Sequence, residues 1–158
     1  MTDAVKAPAL DPAALSPRIG SSYPAPFDEP CKEREKRVLG DPLGLTQFGV
    51  NLTTLVPGAW SAQRHWHSAV DEFVYVLDGE LTLVTDAGEQ ILGPGMAAGF
   101  PAGQPDGHHL VNRSDRPATY LEIGDRQPND TAQYPDVDLY VEVTPEGYAF
   151  SNKKGEPY

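Results

Sequence analysis

Residues 64–80 read RHWHSAVDEFVYVLDGE, and this stretch contains the strongest indications of both fold and chemistry. Two histidines two positions apart are followed by an acidic pair and by an apolar run that closes at Asp78-Gly79. In an extended strand, residues i and i+2 point to the same face. We therefore expect His65 and His67 to lie side by side, where their imidazoles can reach one cation.

The acidic pair contributes one further candidate ligand. Glu72 opens the next predicted strand, and its parity places Val74 and Val76 on the same face. A lone carboxylate on a buried apolar face costs several kcal/mol unless a cation neutralises it. Asp71 has the opposite parity and is expected in the turn. The pattern thus predicts that Glu72 joins the two histidines around a divalent ion.

From Leu45 onward the chain shows the pattern of a β protein. Short runs rich in β-branched and aromatic residues alternate with Gly/Pro turns, and no amphipathic helix of ten residues is evident. This pattern predicts an all-β antiparallel sandwich or barrel. The His-x-His element occurs once, which indicates a single barrel. Besides the strands around Asp78-Gly79, we expect strands in HHLVN (108–112), PATYLEIG (117–124), DLYVEV (138–143) and GYAFS (147–151).

Composition restricts the class of partner. The 158 residues include 12 Lys+Arg and 23 Asp+Glu, for a net charge of −11. Such a surface repels phosphate backbones and anionic lipids, so neither nucleic acid nor a membrane is expected as a partner. Cys31 is the single cysteine, and no signal-like apolar segment is present. We expect a soluble cytoplasmic protein.

The N-terminal segment differs from the rest. Residues 1–30 hold six of the sixteen prolines and are predicted to form an extended arm, with one barrel in residues 31–158. The arm is expected either as a disordered tail or, through residues such as Tyr23 and Phe27, as a strap across a neighbouring subunit. The charged run CKEREKR (31–37) is predicted to form at most a helical turn or two with a solvated face.

A fourth metal ligand should come from another strand of the same barrel. His108 and His109 are the two remaining histidines. Their segment alternates, so they point to opposite faces, and spacing alone does not choose between them.

Two spaced motifs resemble those of the cupin superfamily over residues 45–125. The first motif has one residue more than the usual form between Gly58 and His65. The second motif has four residues rather than two between Gly103 and His108. This insertion, residues 104–107, is expected in a loop. The first motif is Gly58, six residues, His65-x-His67, four residues, Glu72, six residues, Gly79; the second is Gly95, five residues, Pro101-x-Gly103, then His108, three residues, Asn112.

The resemblance implies a fold and a ligand set. It implies a double-stranded β-helix (jelly-roll) barrel that binds one divalent metal ion, either Zn, Mn, Fe, Ni or Co. The His-x-x-x-Asn spacing is kept by His108, so His109 is not the implied ligand. Carried over to this chain, the ligands are His65, His67, Glu72 and His108.

The resemblance also implies a function for such a centre. Three imidazoles and one carboxylate leave two positions of an octahedral ion open for substrate oxygens. Small cupins of this pattern resemble bacterial proteins described as sugar-phosphate isomerases. We expect a metal-dependent isomerase or lyase acting on a small sugar-like or 2-oxo substrate. The alternatives are an Fe(II)-type dioxygenase or decarboxylase, and a non-catalytic metal- or ligand-binding module.

The sequence leaves the acid–base residue of such an enzyme unassigned. Tyr120 and Glu122 share one face of the strand that follows His108, and Arg64, Arg113 and Arg116 are candidates for holding an anionic group. None of the five stands out from its structural alternative.

The sequence also predicts a homodimer, because residues 73, 75 and 77 form an apolar second face that needs cover.

Overall fold

The structure is a computed structural model that describes residues 8–158. These residues contain thirteen β-strands, three short 3₁₀ helices (Pro12–Ala14, Glu29–Cys31 and Asp41–Leu43) and no α-helix, which confirms the all-β prediction. Residues 1–7 of the predicted arm lie outside the described part. The strands are β1 (Arg18–Ile19), β2 (Glu35–Val38), β3 (Phe48–Leu55), β4 (Trp66–His67), β5 (Glu72–Asp78), β6 (Leu81–Thr85), β7 (Gly88–Leu92), β8 (Ala97–Phe100), β9 (His109–Val111), β10 (Ala118–Asp125), β11 (Thr131–Gln133), β12 (Tyr140–Thr144) and β13 (Gly147–Ser151).

The strands form three antiparallel sheets arranged as a jelly-roll barrel. The six-stranded sheet has the order β1-β2-β3-β10-β5-β8, the four-stranded sheet β13-β12-β11-β4, and the three-stranded sheet β7-β6-β9. One apolar core lies inside the barrel, and a smaller cluster lies against β11 to β13. No helix in residues 8–158 has the length and apolar character needed to span a membrane.

Strand β5 shows the predicted alternation. Val76 is fully buried and Val74 is 8% exposed, whereas Phe73, Tyr75 and Leu77 are 41%, 38% and 45% exposed. Glu72 has the parity of the valines, so it begins on the interior face. The turn after β5 requires glycine: Gly79 has φ +80°, and a Cβ there would lie 2.7 Å from the Cα of Ala118.

Asn112 of the second motif has a structural role. Its side chain is fully buried, and its Nδ2 donates to the carbonyls of Leu55 (2.7 Å) and Arg116 (2.8 Å). Its Oδ1 accepts from the backbone N–H of Ser114 at 2.9 Å. These bonds satisfy the buried polar groups at the turn between β9 and β10.

The prediction for residues 31–37 is wrong for the second half of the run. Residues 35–38 form strand β2, which pairs with β3 in the register Lys36↔Thr53, and Thr53 is fully buried. Lys36 therefore points to the interior, where its ammonium pairs with Glu122 of β10. The edge of β3 supplies backbone partners, and Glu122 supplies a counter-ion. Neither is visible in the local charge pattern.

The described part of the arm packs on the chain's own C-terminal strands. The ring of Tyr23 packs edge-on against Tyr134 and Phe150, with ring centroids 5.8 and 5.9 Å apart. Phe27 packs in the same way against Tyr158, with a centroid distance of 5.5 Å. The boundary at residue 30 and a strap across a neighbouring subunit both stay predictions.

Candidate metal centre

Two segments distant in sequence bring three histidines together. The chain just before β4 forms an antiparallel bridge with the chain just before β9: His65 N–H donates to the His108 carbonyl at 3.2 Å, and His108 N–H donates to the His65 carbonyl at 2.9 Å. His67 follows on β4, two residues after His65, and therefore shares its face. Glu72 enters from β5.

The three imidazoles surround the carboxylate of Glu72. The Nε2 of His108 lies 2.7 Å from Oε2 of Glu72, and the Nε2 of His65 lies 3.6 Å from the same oxygen. The Nε2 of His67 lies 3.3 Å from Oε1. Candidate ligand atoms of His65, His67 and Glu72 all lie within 4.8 Å of one another. The structure thus brings all four predicted side chains to one place.

The outer nitrogens of two histidines determine what the inner ones can do. His65 Nδ1 lies 2.7 Å from the carbonyl oxygen of Gln63, and His67 Nδ1 lies 2.6 Å from Oδ2 of Asp130. A carbonyl or carboxylate oxygen can only accept, so each Nδ1 carries the hydrogen. Each Nε2 can then present a lone pair to the centre, as a metal ligand must. These residues therefore fit a divalent ion.

Sequence reasoning missed Asp130, which fixes the His67 ring. The carboxylate is 2% exposed, and its second oxygen accepts from the backbone N–H of Ala69 at 2.9 Å. Asp130 lies immediately before β11, and β11 pairs with β4 in the register Ala132↔His67. No sequence signal links residues 63 positions apart, so only the pairing of the two strands reveals the contact.

The two adjacent histidines, His108 and His109, have different surroundings. The ring of His108 stacks on Phe100 with centroids 3.6 Å apart, and its Nδ1 is buried without a hydrogen-bond partner among the described residues. His109 points elsewhere: its Nδ1 donates to the carbonyl of Ala62 at 2.9 Å, and its ring meets the edge of Trp60. Parity assigned the two histidines to opposite faces, and the structure places His108 on the face of Glu72.

Burial and neighbouring charges shift the pKa values of the side chains in the cluster. Burial favours protonation of Glu72, but the adjacent imidazoles of His108, His65 and His67 outweigh it and hold the pKa of the Glu72 carboxyl well below its usual range. Burial likewise favours neutral His67, but Glu72 and Asp130 outweigh it and raise the pKa of His67 to about 9. Burial lowers the pKa of His108. The site thus favours positive charge beside Glu72, which a cation can supply.

The centre opens into a cavity of about 900 Å³, within the range of sites that enclose small ligands. Directly opposite Glu72 on β10 is Gly124, and opposite Gly124 on β3 is Gly49. Lys36, Asn51, Tyr120 and Glu122 also line the cavity.

The other polar residues singled out in the sequence lie away from the centre. Asp71 stays in the turn, as expected, where its carboxylate accepts from the backbone N–H of Ala102 at 2.7 Å. The three arginine candidates are each held by carboxylates elsewhere: Arg64 by Asp136 and Asp86, Arg113 by Glu89, and Arg116 by Asp78.

Comparison with known proteins agrees with this architecture. Residues 51–124 match the family described as Cupin domain. A sugar phosphate isomerase of the cupin superfamily from Silicibacter pomeroyi is 49% identical, with a TM-score of 0.91, and the match covers 95% of this chain and 96% of that one. A comparison with curated proteins found no match.

Two further solved structures are more distant. A protein of Acidithiobacillus ferrooxidans, provisionally named a sugar phosphate isomerase, is 28% identical over 80% of both chains, with a TM-score of 0.72. A polyketide cyclase of Streptomyces resistomycificus is 22% identical over 82% of this chain and 85% of that one, with a TM-score of 0.66, and shows the fold alone. By its barrel, its motifs and its likeness to the Silicibacter protein, this chain belongs to the cupin superfamily.

Proposed function

We propose that the protein binds one divalent metal ion through His65, His67, Glu72 and His108 and uses it to isomerise a small sugar-like or 2-oxo substrate. The observation that carries the proposal is the convergence of three Nε2 atoms on one interior carboxylate. Nitrogen and carboxylate donors suit Zn, Mn, Fe, Ni or Co. Once bound, the ion would act as a Lewis acid that polarises a substrate carbonyl.

The cavity supports a small-molecule substrate. Its volume of about 900 Å³ exceeds what a bare metal site needs. The strand glycines beside Glu72 leave room for a ligand next to the carboxylate. The isomerase named among the comparisons, at 49% identity and nearly full coverage, supports isomerisation over the other reactions of which such a centre is capable.

We further propose that two copies pair through the outer face of β5. Phe73, Tyr75 and Leu77 are 38 to 45% exposed there, and Met96, which immediately precedes the neighbouring strand β8, is 46% exposed. Three large apolar side chains in a row on one strand form a patch that association would remove from water.

Replacing each of the two adjacent histidines by alanine in turn tests the ligand set. We expect elemental analysis of protein purified without chelators to find about one ion per chain. His108→Ala should lower this occupancy at least tenfold, because a ligand is lost. His109→Ala is the matched control: the two residues are equally buried (7% exposed), and we expect the variant to keep its metal. Loss of metal in the control alone would contradict the assignment.

The raised pKa of His67 predicts the pH dependence of metal affinity. Below about pH 9 a proton competes with the ion for Nε2 of His67, so affinity should rise with pH up to about 9 and fall on acidification. Chelator-competition titrations with Co²⁺ at pH 6, 7, 8 and 9 measure this trend. The loss should approach tenfold per pH unit for each proton displaced. A dissociation constant independent of pH over this range would refute the proposed competition.

Hydrogen exchange tests the reaction. In D₂O, metal-loaded protein should replace one substrate C–H adjacent to a carbonyl with deuterium, which NMR follows across a panel of aldose phosphates, ketose phosphates and 2-oxo acids. His67→Ala serves as the inactive control. If every panel compound keeps its hydrogens in the presence of metal-replete protein, the isomerase proposal fails. Oxygen consumption dependent on anaerobically loaded iron would favour the dioxygenase alternative instead.

Light scattering at micromolar concentration tests the dimer. Tyr75→Lys should give a monomer, because a charge in the centre of the apolar row opposes burial. Tyr148→Lys removes an even more exposed aromatic residue, 64% exposed on β13, and should leave the dimer intact. A monomeric native protein would rule out the proposed pairing.

A further inference from the structure

Among the polar side chains that line the cavity without belonging to the metal centre are Lys36, Asn51, Tyr120 and Glu122. We propose that Glu122 is the catalytic acid–base group, which removes a proton from the substrate and returns it, and that Lys36 and Asn51 are its positioning residues. This inference rests on the proposed isomerase function and names the residue that would move the proton.

The strand register places Glu122 beside the metal centre. On β10, Gly124 lies opposite Glu72 and Glu122 lies opposite Val74. The two glutamates are therefore diagonal neighbours on the interior face, with Cβ atoms roughly 7 Å apart. A substrate held beside Glu72 would have its neighbouring carbon within reach of Glu122.

The strand glycines provide the space between the two carboxylates. Gly49 and Gly124 are cross-strand partners, and neither has a positive φ. A Cβ at Gly124 would meet no protein atom closer than 3.5 Å, so packing does not require glycine there. Glycine inside a strand lowers stability relative to alanine, and it often marks a place where a ligand approaches the backbone. A larger side chain at either position would fill part of the cavity beside Glu72, next to Val70 and Arg126.

The partners of Glu122 leave one of its oxygens available. Oε1 accepts from Nδ2 of Asn51 at 3.2 Å and also pairs with the ammonium of Lys36. Among residues 8–158, the partner of Oε2 is the Tyr120 hydroxyl alone, at 3.5 Å, which is too long for a strong hydrogen bond. The carboxylate is thus anchored through Oε1 and can accept a proton at Oε2. By contrast, Glu72 has imidazoles against both of its oxygens.

The electrostatics suit a base. Burial favours the protonated form of Glu122, but Lys36 outweighs it and lowers the pKa of the carboxyl below its ordinary value. Glu122 is therefore ionised at neutral pH. Tyr120 is not an alternative base, because burial raises the pKa of its fully buried hydroxyl well above 10 and keeps it neutral.

The step balances without an oxidant. A C–H bond next to the substrate carbonyl breaks, and its proton forms an O–H bond with Oε2 of Glu122. The electron pair of the C–H bond becomes the C=C bond of an enediolate, whose former carbonyl oxygen carries the negative charge. Return of the proton to the adjacent carbon, with transfer of the hydroxyl proton between the two oxygens, yields the isomer and restores the carboxylate.

Glu122→Gln tests the role with the compound that exchanges fastest with native protein. We expect a loss of C–H exchange of at least about 100-fold. Metal content should stay at one ion per chain, and calorimetry should give a dissociation constant for the same compound within about threefold of native. Glu142→Gln, on an exposed position of β12, is the matched control and should keep full exchange.

Lys36 provides a second readout. Lys36→Met removes the larger of the two positive charges, Lys36 and Arg34, that keep Glu122 ionised beside Glu72, so the acidic limb of the pH–rate profile should shift to higher pH by at least about one unit. Lys36→Arg keeps the charge and should restore the native profile. If the ion pair were purely structural, Lys36→Met would lower the melting temperature without moving the acidic limb.

Three outcomes would overturn the assignment. Exchange by Glu122→Gln within threefold of native would leave the isomerase proposal standing and remove Glu122 as the base. Loss of metal from this variant in step with its activity would give Glu122 a structural role. Absence of exchange in native protein with every compound would refute the isomerase function and the role of Glu122 with it.

Discussion

The carboxylate of Glu72 lies on the interior face of a β-sheet, in line with Val74 and Val76, and this placement constrains the whole site. An ionised group there is stable only if positive charge and hydrogen-bond donors surround it. Histidines from two other segments provide that environment, and Asp130 in turn orients one of them. Bringing the segments together requires the bridge between residues 65 and 108 and the pairing of β4 with β11.

The same constraint recurs a few ångströms away. Glu122 is also an interior carboxylate, and here the compensating charge is the ammonium of Lys36, which reaches the interior because residues 35–38 add a strand to the edge of β3. The two carboxylates thus have different partners. Imidazoles can exchange a proton for a metal ion, whereas an ammonium keeps its carboxylate ionised without binding a metal. This difference underlies the division of roles proposed for Glu72 and Glu122.

The barrel fold alone does not determine the reaction. The sugar phosphate isomerase and the polyketide cyclase share the fold, the latter at 22% identity with this chain. Proteins of such different names on one scaffold show that chemistry resides in the side chains around the cavity. The cross-strand pair Gly49–Gly124 and the ion pair Lys36–Glu122 are the features of this chain that bear on its substrate.

The sequence determined what depends on neighbours along the chain. Alternation and turn residues predicted most strands from β5 onward, though not β11, and the interior position of Glu72, and parity placed His108 and His109 on opposite faces. Tertiary structure decided which face meets Glu72, that Asp130 supports His67, that residues 35–38 become a strand, and that the described part of the arm packs on the chain's own C-terminal strands. Each of these depends on strand pairing or side-chain packing between residues far apart in sequence, and local propensity carries no information about such partners.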